Sequence, residues 1–290
     1  MKTVFAAILL FIVCVSPELF AGDFADLQQA ANRGDANAQY QLGVDYANGK
    51  NIKRDYKQAA LWLSKAAEQG HLAAQTRLGF CYASGQGVPR NLGEAAAWYR
   101  KAADRGDAAA QTNLGYAYGG GQGVRLDFDE AAAWYRKAAE QGYASAQANL
   151  GALYLIGQGV PRNTKLALAW LNKAVAQNNA NAQYNLAMMY HDGTGVAQDY
   201  KMAAELFRKS AEQGYAEAQA DLGVMYANGK GLKQDFVQAY FWLNIPAEKG
   251  STTAASSRDK VAAFMSAEQI LAARKLSAQW KPQLPQITSQ

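Results

Sequence analysis

Apolar residues along this chain fall at helical spacing, and the same arrangement returns every 36 residues. The pair Ala-Gln recurs with its glutamine at Gln39, Gln75, Gln111, Gln147, Gln183 and Gln219. Three residues after each stands a leucine (Leu42, Leu78, Leu114, Leu150, Leu186, Leu222), and four further on a tyrosine (Tyr46, Tyr82, Tyr118, Tyr154, Tyr190, Tyr226). No insertion or deletion interrupts the series. A fixed period between about 20 and 50 residues marks a stacked array, in which each unit buries its apolar face on its neighbours instead of in one central core.

Within one period the pattern predicts two helices. In 35–70, Ala38, Gln39, Leu42, Gly43 and Tyr46 share one side of a first helix that Gly49 ends. Later copies carry a second loop glycine two positions on, as in Gly157 and Gly159, where a tight connection needs positive φ. Asp55, Asn91, Asp127, Asn163, Asp199 and Asp235 then stand where a second helix starts. Gln58, Glu94, Glu130 and Gln238 follow four of them at capping-box spacing. Trp62, Trp98, Trp134, Trp170 and Trp242 fill one column of the second helix, with Leu206 in the fifth copy. Gly70, Gly106, Gly142, Gly214 and Gly250 close it, with Asn178 as the substitute. Small residues at Gly43 and Ala66 let the two helices approach, and Leu, Tyr and Trp fill the space between hairpins.

The expected organisation is a leader at 1–21, a capping helix at 22–34, six repeats over 35–250 (35–70, 71–106, 107–142, 143–178, 179–214 and 215–250), capping helices at 251–281 and a flexible tail at 282–290. The leader reading rests on Lys2, the unbroken apolar run Val4–Val15 and the small residue Ala21. That run is too short for a membrane span. After its removal Cys81 is the one cysteine left, so no internal disulfide can form. Half of the 290 residues are apolar and 18% are charged, which places the chain among folded proteins. The net charge of +5 is spread along the repeats, as in Arg100-Lys101 and Arg136-Lys137 near helix ends, and argues against a nucleic-acid surface.

The runs Ala182-Gln183-Tyr184-Asn185-Leu186-Ala187-Met188-Met189-Tyr190 and Asp127–Gly142 resemble the Sel-1-like repeat, a relative of the tetratricopeptide repeat. The resemblance covers residues 35–250 and departs slightly in the first copy, where Asn51 replaces the second loop glycine. It implies an all-α fold, a right-handed α/α superhelical solenoid of six helix-turn-helix repeats with capping helices at both ends. It also implies a scaffold or adaptor that binds a protein or peptide on the concave face, which the first helices line.

No constellation for catalysis stands out, and no cofactor or metal is expected. His71 sits in a helix-cap column and His191 at a helix end, neither with zinc-ligand companions. Ser257 and Lys260 match Ser-x-x-Lys, the motif of penicillin-recognising enzymes, without its partner motifs. The first-helix positions that vary between copies lie at i, i+4 and i+7, and they define the candidate groove. It comprises Gln41, Asp45, Arg77, Cys81, Asn113, Asn149, Leu153, Ile156, Asn185, Met189, Asp221 and Met225. The competing expectation is that its apolar members pack against the neighbouring helix, which a Leu153→Asp, Met189→Asp pair would separate from binding. The resulting expectation is an exported scaffold, periplasmic or secreted, non-catalytic and without stable membrane insertion. The alternatives are a secreted host-interaction factor and an enzyme acting on β-lactams or peptidoglycan.

Overall fold

The computed structural model describes residues 17–50 and 52–283, with side chains from residue 24 onward. Among the described residues all regular elements are α-helices. The chain divides into two compact units, Met1–Asp107 and Ala108–Gln290.

The first unit holds α1 (Pro17–Asn32), α2 (Ala36–Asn48), α3 (Tyr56–Glu68), α4 (Leu72–Ser84) and α5 (Leu92–Ala103). Helix α1 begins inside the segment expected to be a leader, and residues 1–16 lie outside the described residues. Its later turns cover the first repeat: Ala31 is buried, and Phe24 meets Tyr46 edge-on at 6.5 Å. The second unit holds α6 (Ala108–Gly120), α7 (Phe128–Glu140), α8 (Ala144–Ile156), α9 (Thr164–Ala176), α10 (Ala180–Asp192), α11 (Tyr200–Glu212), α12 (Ala216–Asn228), α13 (Phe236–Glu248), α14 (Thr252–Ala262) and α15 (Ala267–Gln279).

Each element starts and stops for local reasons. Asp127 Oδ1 accepts from the Glu130 amide at 3.0 Å, and the other expected caps do likewise. The reciprocal half of a capping box is present at Ser266 and Gln269. At α7, Glu130 turns instead to accept from Trp134 Nε1 at 3.0 Å. First helices end on left-handed glycines, and Asn178 takes the same conformation (φ 58°) where the other copies have glycine. Close approach accounts for two further glycines. A Cβ on Gly151 would stand 2.8 Å from Leu171 Cγ, and one on Gly159 would overlap the Phe128 carbonyl of the preceding hairpin.

The leucine column is the core: Leu42, Leu78, Leu114, Leu150 and Leu222 are fully buried, and Leu186 nearly so. The six glutamines are buried beside them. In the second unit Gln147 Nε2 donates to Ala139 O at 3.2 Å, at the end of α7. Its Oε1 accepts from Gln177 Nε2 at 2.9 Å, at the end of α9. One amide thus ties the first helix to the second helices before and after it. The same acceptor role recurs for Gln39 with Gln69, Gln75 with Arg105, Gln111 with Gln141 and Gln183 with Gln213.

Beyond Gly250 the sequence pattern fades, yet the 36-residue register survives: Ser251 caps α14 as Tyr215 precedes α12, and Ala254 is buried like Ala218. Helix α14 is therefore a truncated seventh first helix, and α15 packs on α13. The segment expected to be a loose tail from residue 282 is anchored where it begins. Pro282 lies against Gly214, and the Gln283 amide donates to Glu212 O at 2.8 Å.

Gln219 is the exception in the glutamine series. Its Nε2 donates to Ala211 O at 3.1 Å, but its buried Oε1 has no donor. The position that supplies the donor elsewhere holds Lys249, whose ammonium lies 5.8 Å from the Trp280 ring. Lys249→Gln restores the missing amide, and we expect it to raise stability by about 1 kcal/mol, the net worth of one hydrogen bond to a buried acceptor. Thermal denaturation checks this, and an unchanged or lower midpoint counts against the role given to the glutamines.

Candidate functional site

The outer face of each first helix is set by what its inner face must do. With the Gln-Leu-Tyr side turned to the core, the side chains one position before and two positions after each leucine turn away from it. In the second unit Asn113, Asn149, Asn185 and Asp221 are half-buried and reach the surface on α6, α8, α10 and α12. Gln41 and Arg77 are exposed on α2 and α4 of the first unit. Ile156 is 61% exposed at the end of α8.

The remaining members of the expected groove do not belong to a surface. Asp45, Cys81, Leu153, Met189 and Met225 are all buried, as is Ala117 in the same column. Leu153 joins the cluster of Leu150 and Tyr154, and Met189 and Met225 pack with Phe207 and Trp242. The reason is angular: a position three residues after the core leucine still lies on the flank that meets the neighbouring hairpin. These side chains vary because they are spacers between hairpins, so Leu153→Asp with Met189→Asp reports on folding and not on binding.

A column that the sequence reading passed over takes their place. Val44, Phe80, Tyr116, Ala152, Met188 and Val224 are apolar in every copy, yet Phe80 is 51% and Tyr116 60% exposed. Its uniform apolarity was the available signal. The amides beside it are partly engaged with one another: Asn181 Nδ2 donates to Asn149 Oδ1 at 3.2 Å, and Asn185 Nδ2 to Asn181 Oδ1 at 2.6 Å.

The truncated seventh helix extends this face at its far end. A cleft of about 450 Å³ lies between α12 and α14, lined by Tyr184, Glu217, Asp221, Val224 and Ser257 among others. A second compartment of about 400 Å³ continues from it, lined by Val224, Asn228, Phe236, Lys260 and Phe264 among others. Ser257 and Lys260 thus stand on the groove wall, 36 residues beyond Asp221 and Val224. A third cleft, about 740 Å³, lies beside α13 and α15 at Arg274 and Trp280.

The other candidates for chemistry have structural roles. His71 Nδ1 accepts from the Ala74 amide at 3.2 Å, and its ring stacks on Tyr40 at 4.5 Å. His191 Nδ1 contacts Asp192 Oδ1 at 2.6 Å. Burial pushes the Cys81 thiol up, with Arg77 acting in the opposite direction, so it is not an activated nucleophile. The helix-end lysines stack on the tryptophans of the preceding turn, Lys101 over Trp98 and Lys137 over Trp134, each at 3.7 Å. Among the described residues no cluster of three or more His, Cys, Asp or Glu could hold a metal ion. No described helix is long and apolar enough to cross a membrane.

A Sel1 repeat is matched six times, at residues 36–71, 72–107, 108–143, 144–179, 180–215 and 216–251. The chain belongs to the Sel1 repeat family. The Sel1 repeat protein from Oxalobacter formigenes is 32% identical over 85% of this chain and 99% of its own, with a TM-score of 0.67. A protective antigen present in uropathogenic Escherichia coli strains, displaying an SLR fold, is 30% identical over 90% of this chain and 71% of its own, with a TM-score of 0.39. No curated protein sequence matches the chain significantly. Sel1 repeats are in general non-catalytic units of protein–protein interaction.

Asp221 is the perturbed carboxylate of this face. Burial raises its pKa, the nearby Glu217 and Asp192 add to the rise, and the Tyr184 hydroxyl and His191 oppose it. The folded chain therefore holds a proton that the unfolded chain has released, across the interval above the unfolded value near 3.9. Stability from this group falls as pH climbs through that interval and is at its lowest at neutral pH. Asp221→Asn should accordingly raise the melting temperature at pH 7, and the gap should shrink as pH approaches 4. Melting curves across that range check it, and a lowered midpoint at neutral pH contradicts it.

Proposed function

We propose that this chain is an exported, non-catalytic scaffold of a bacterial envelope that binds a protein or peptide on the outer face of its first helices. One observation carries the reading. The column of Val44, Phe80, Tyr116, Ala152, Met188 and Val224 is apolar in all six copies, and Phe80, Tyr116 and Val224 stand exposed in it. Exposed apolar side chains with amides beside them, present in each unit, are the composition of a contact surface and not of a solvated one. The family's general role in protein–protein interaction agrees with it. Export rests on the leader-like residues 1–21, with their apolar run and small-residue end.

Tyr116→Asp combined with Ile156→Asp tests the surface, because both side chains are more than half exposed in the second unit. Helicity and melting temperature should stay as in the parent, while recovery of a bound protein by affinity capture from the native host should be lost. A partner retained at full strength by the folded double variant contradicts the proposal.

A further inference from the structure

The groove between α12 and α14 is walled on two sides and charged at its ends. Its two compartments share Val224, Leu243 and Ser257, so they form one continuous trough. At the α12 N-terminal end stand Glu217 and Asp221, with the Tyr184 ring beside them. Neither carboxylate is ion-paired with a cation of this chain among the described residues. The middle is apolar: Val224 is 38% exposed over Leu243. At the other end Phe264, 69% exposed, stacks flat on Phe236 at 5.1 Å beside Lys260.

On the reading that the first helices bind a protein or peptide, we propose that this trough takes an extended peptide segment in which a Lys or Arg side chain seats against Asp221 and Glu217 and an apolar side chain, about four residues away, covers the Phe236–Phe264 pair. The length follows from helix geometry. From Glu217 to Asn228 the trough runs eleven residues along α12, or about 16 Å at 1.5 Å per residue, which an extended chain of about five residues spans. The charges fix the occupant. Two carboxylates without an ion-pair partner, one of them drawn out of water and held by the Tyr184 hydroxyl, gain from a partner cation and repel a partner carboxylate. Lys260 at the opposite end repels a second cation there, so the basic residue has one place to go. Tyr184 offers the cation a ring face in addition.

Isothermal titration calorimetry on the full chain tests this with two pentapeptides, acetyl-Lys-Ala-Ala-Ala-Phe-amide and its reverse, acetyl-Phe-Ala-Ala-Ala-Lys-amide, and with versions carrying Glu for Lys or Ala for Phe. One of the two parent peptides should bind, more weakly as salt is added, and both replacements should weaken it. Asp221→Asn, which is expected to be no less stable than the parent, should cost at least about tenfold in affinity, the scale of one charge-assisted hydrogen bond. Phe264→Ala, a change at an exposed position, should also weaken binding. Absence of binding by both parent peptides, equal binding of the Glu versions, or unchanged affinity in Asp221→Asn overturns the proposal. A native partner lost by the Tyr116→Asp, Ile156→Asp variant but kept by Asp221→Asn overturns this trough alone. A partner kept by both overturns the wider reading with it.

Discussion

A buried carboxamide holds each repeat in place. Gln147 illustrates the arrangement: it donates to a carbonyl at the end of α7 and accepts from the side chain that closes α9, so a single residue of α8 is bonded to the helices on both sides. The last carbonyls of a helix have no partner within it and must find one elsewhere. Left unpaired in the interior, a carbonyl or amide costs about 1–3 kcal/mol. Leucine packing contributes more to stability, but it is tolerant of small shifts. The amide is not, because its two bonds fix both its distance from the preceding helix end and its distance from the following one.

This constraint accounts for the strict period. Donor and acceptor are 30 residues apart in five consecutive hairpins, the donor being a glutamine amide in four and the Arg105 guanidinium in the second, and an added or lost residue inside a hairpin would unpair a buried group. It also explains why Asn178 can replace a glycine. Asn178 takes the left-handed conformation and its Oδ1 accepts from Gln183 Nε2 at 2.7 Å, in place of the carbonyl bond made in other copies. The sixth repeat, with Lys249 in the donor position, is where the array ends and the cap begins. There the chain turns to other devices: Trp280 meets Trp242 edge-on at 6.1 Å, and Asn244 donates to Ser277 Oγ at 2.8 Å.

The helices, their caps and the leucine core were legible in the sequence because they depend on local chemistry that repeats at every copy. The glutamine's role was not, since a polar residue in an apolar column reveals nothing about partners 8 and 30 residues away. The binding face was legible in part. Variation between copies pointed to Gln41, Arg77, Asn113, Asn149, Ile156, Asn185 and Asp221, which do reach the surface. It pointed equally to Asp45, Cys81, Leu153, Met189 and Met225, which are buried. Variation marks tolerance, and a spacer between hairpins is tolerant for a different reason than a surface residue. The seventh first helix escaped notice because Arg258 and Asp259 occupy the positions of the usual Leu and Gly. Arg258 there bonds to Asn244 Oδ1 of α13 at 3.0 Å.

The same frame that consumes one side of each first helix leaves the other side free, and that division is what gives a repeat array a surface to vary without losing its fold. Whether the carboxamides set the frame is decided most directly by a double-mutant cycle on Gln147→Ala and Gln177→Ala, followed by urea denaturation. The account predicts that Gln147→Ala costs about 2–3 kcal/mol and that the two changes couple by about 1 kcal/mol. Additive effects, with Gln147→Ala within about 0.5 kcal/mol of the parent, the range of an ordinary surface change, would contradict it.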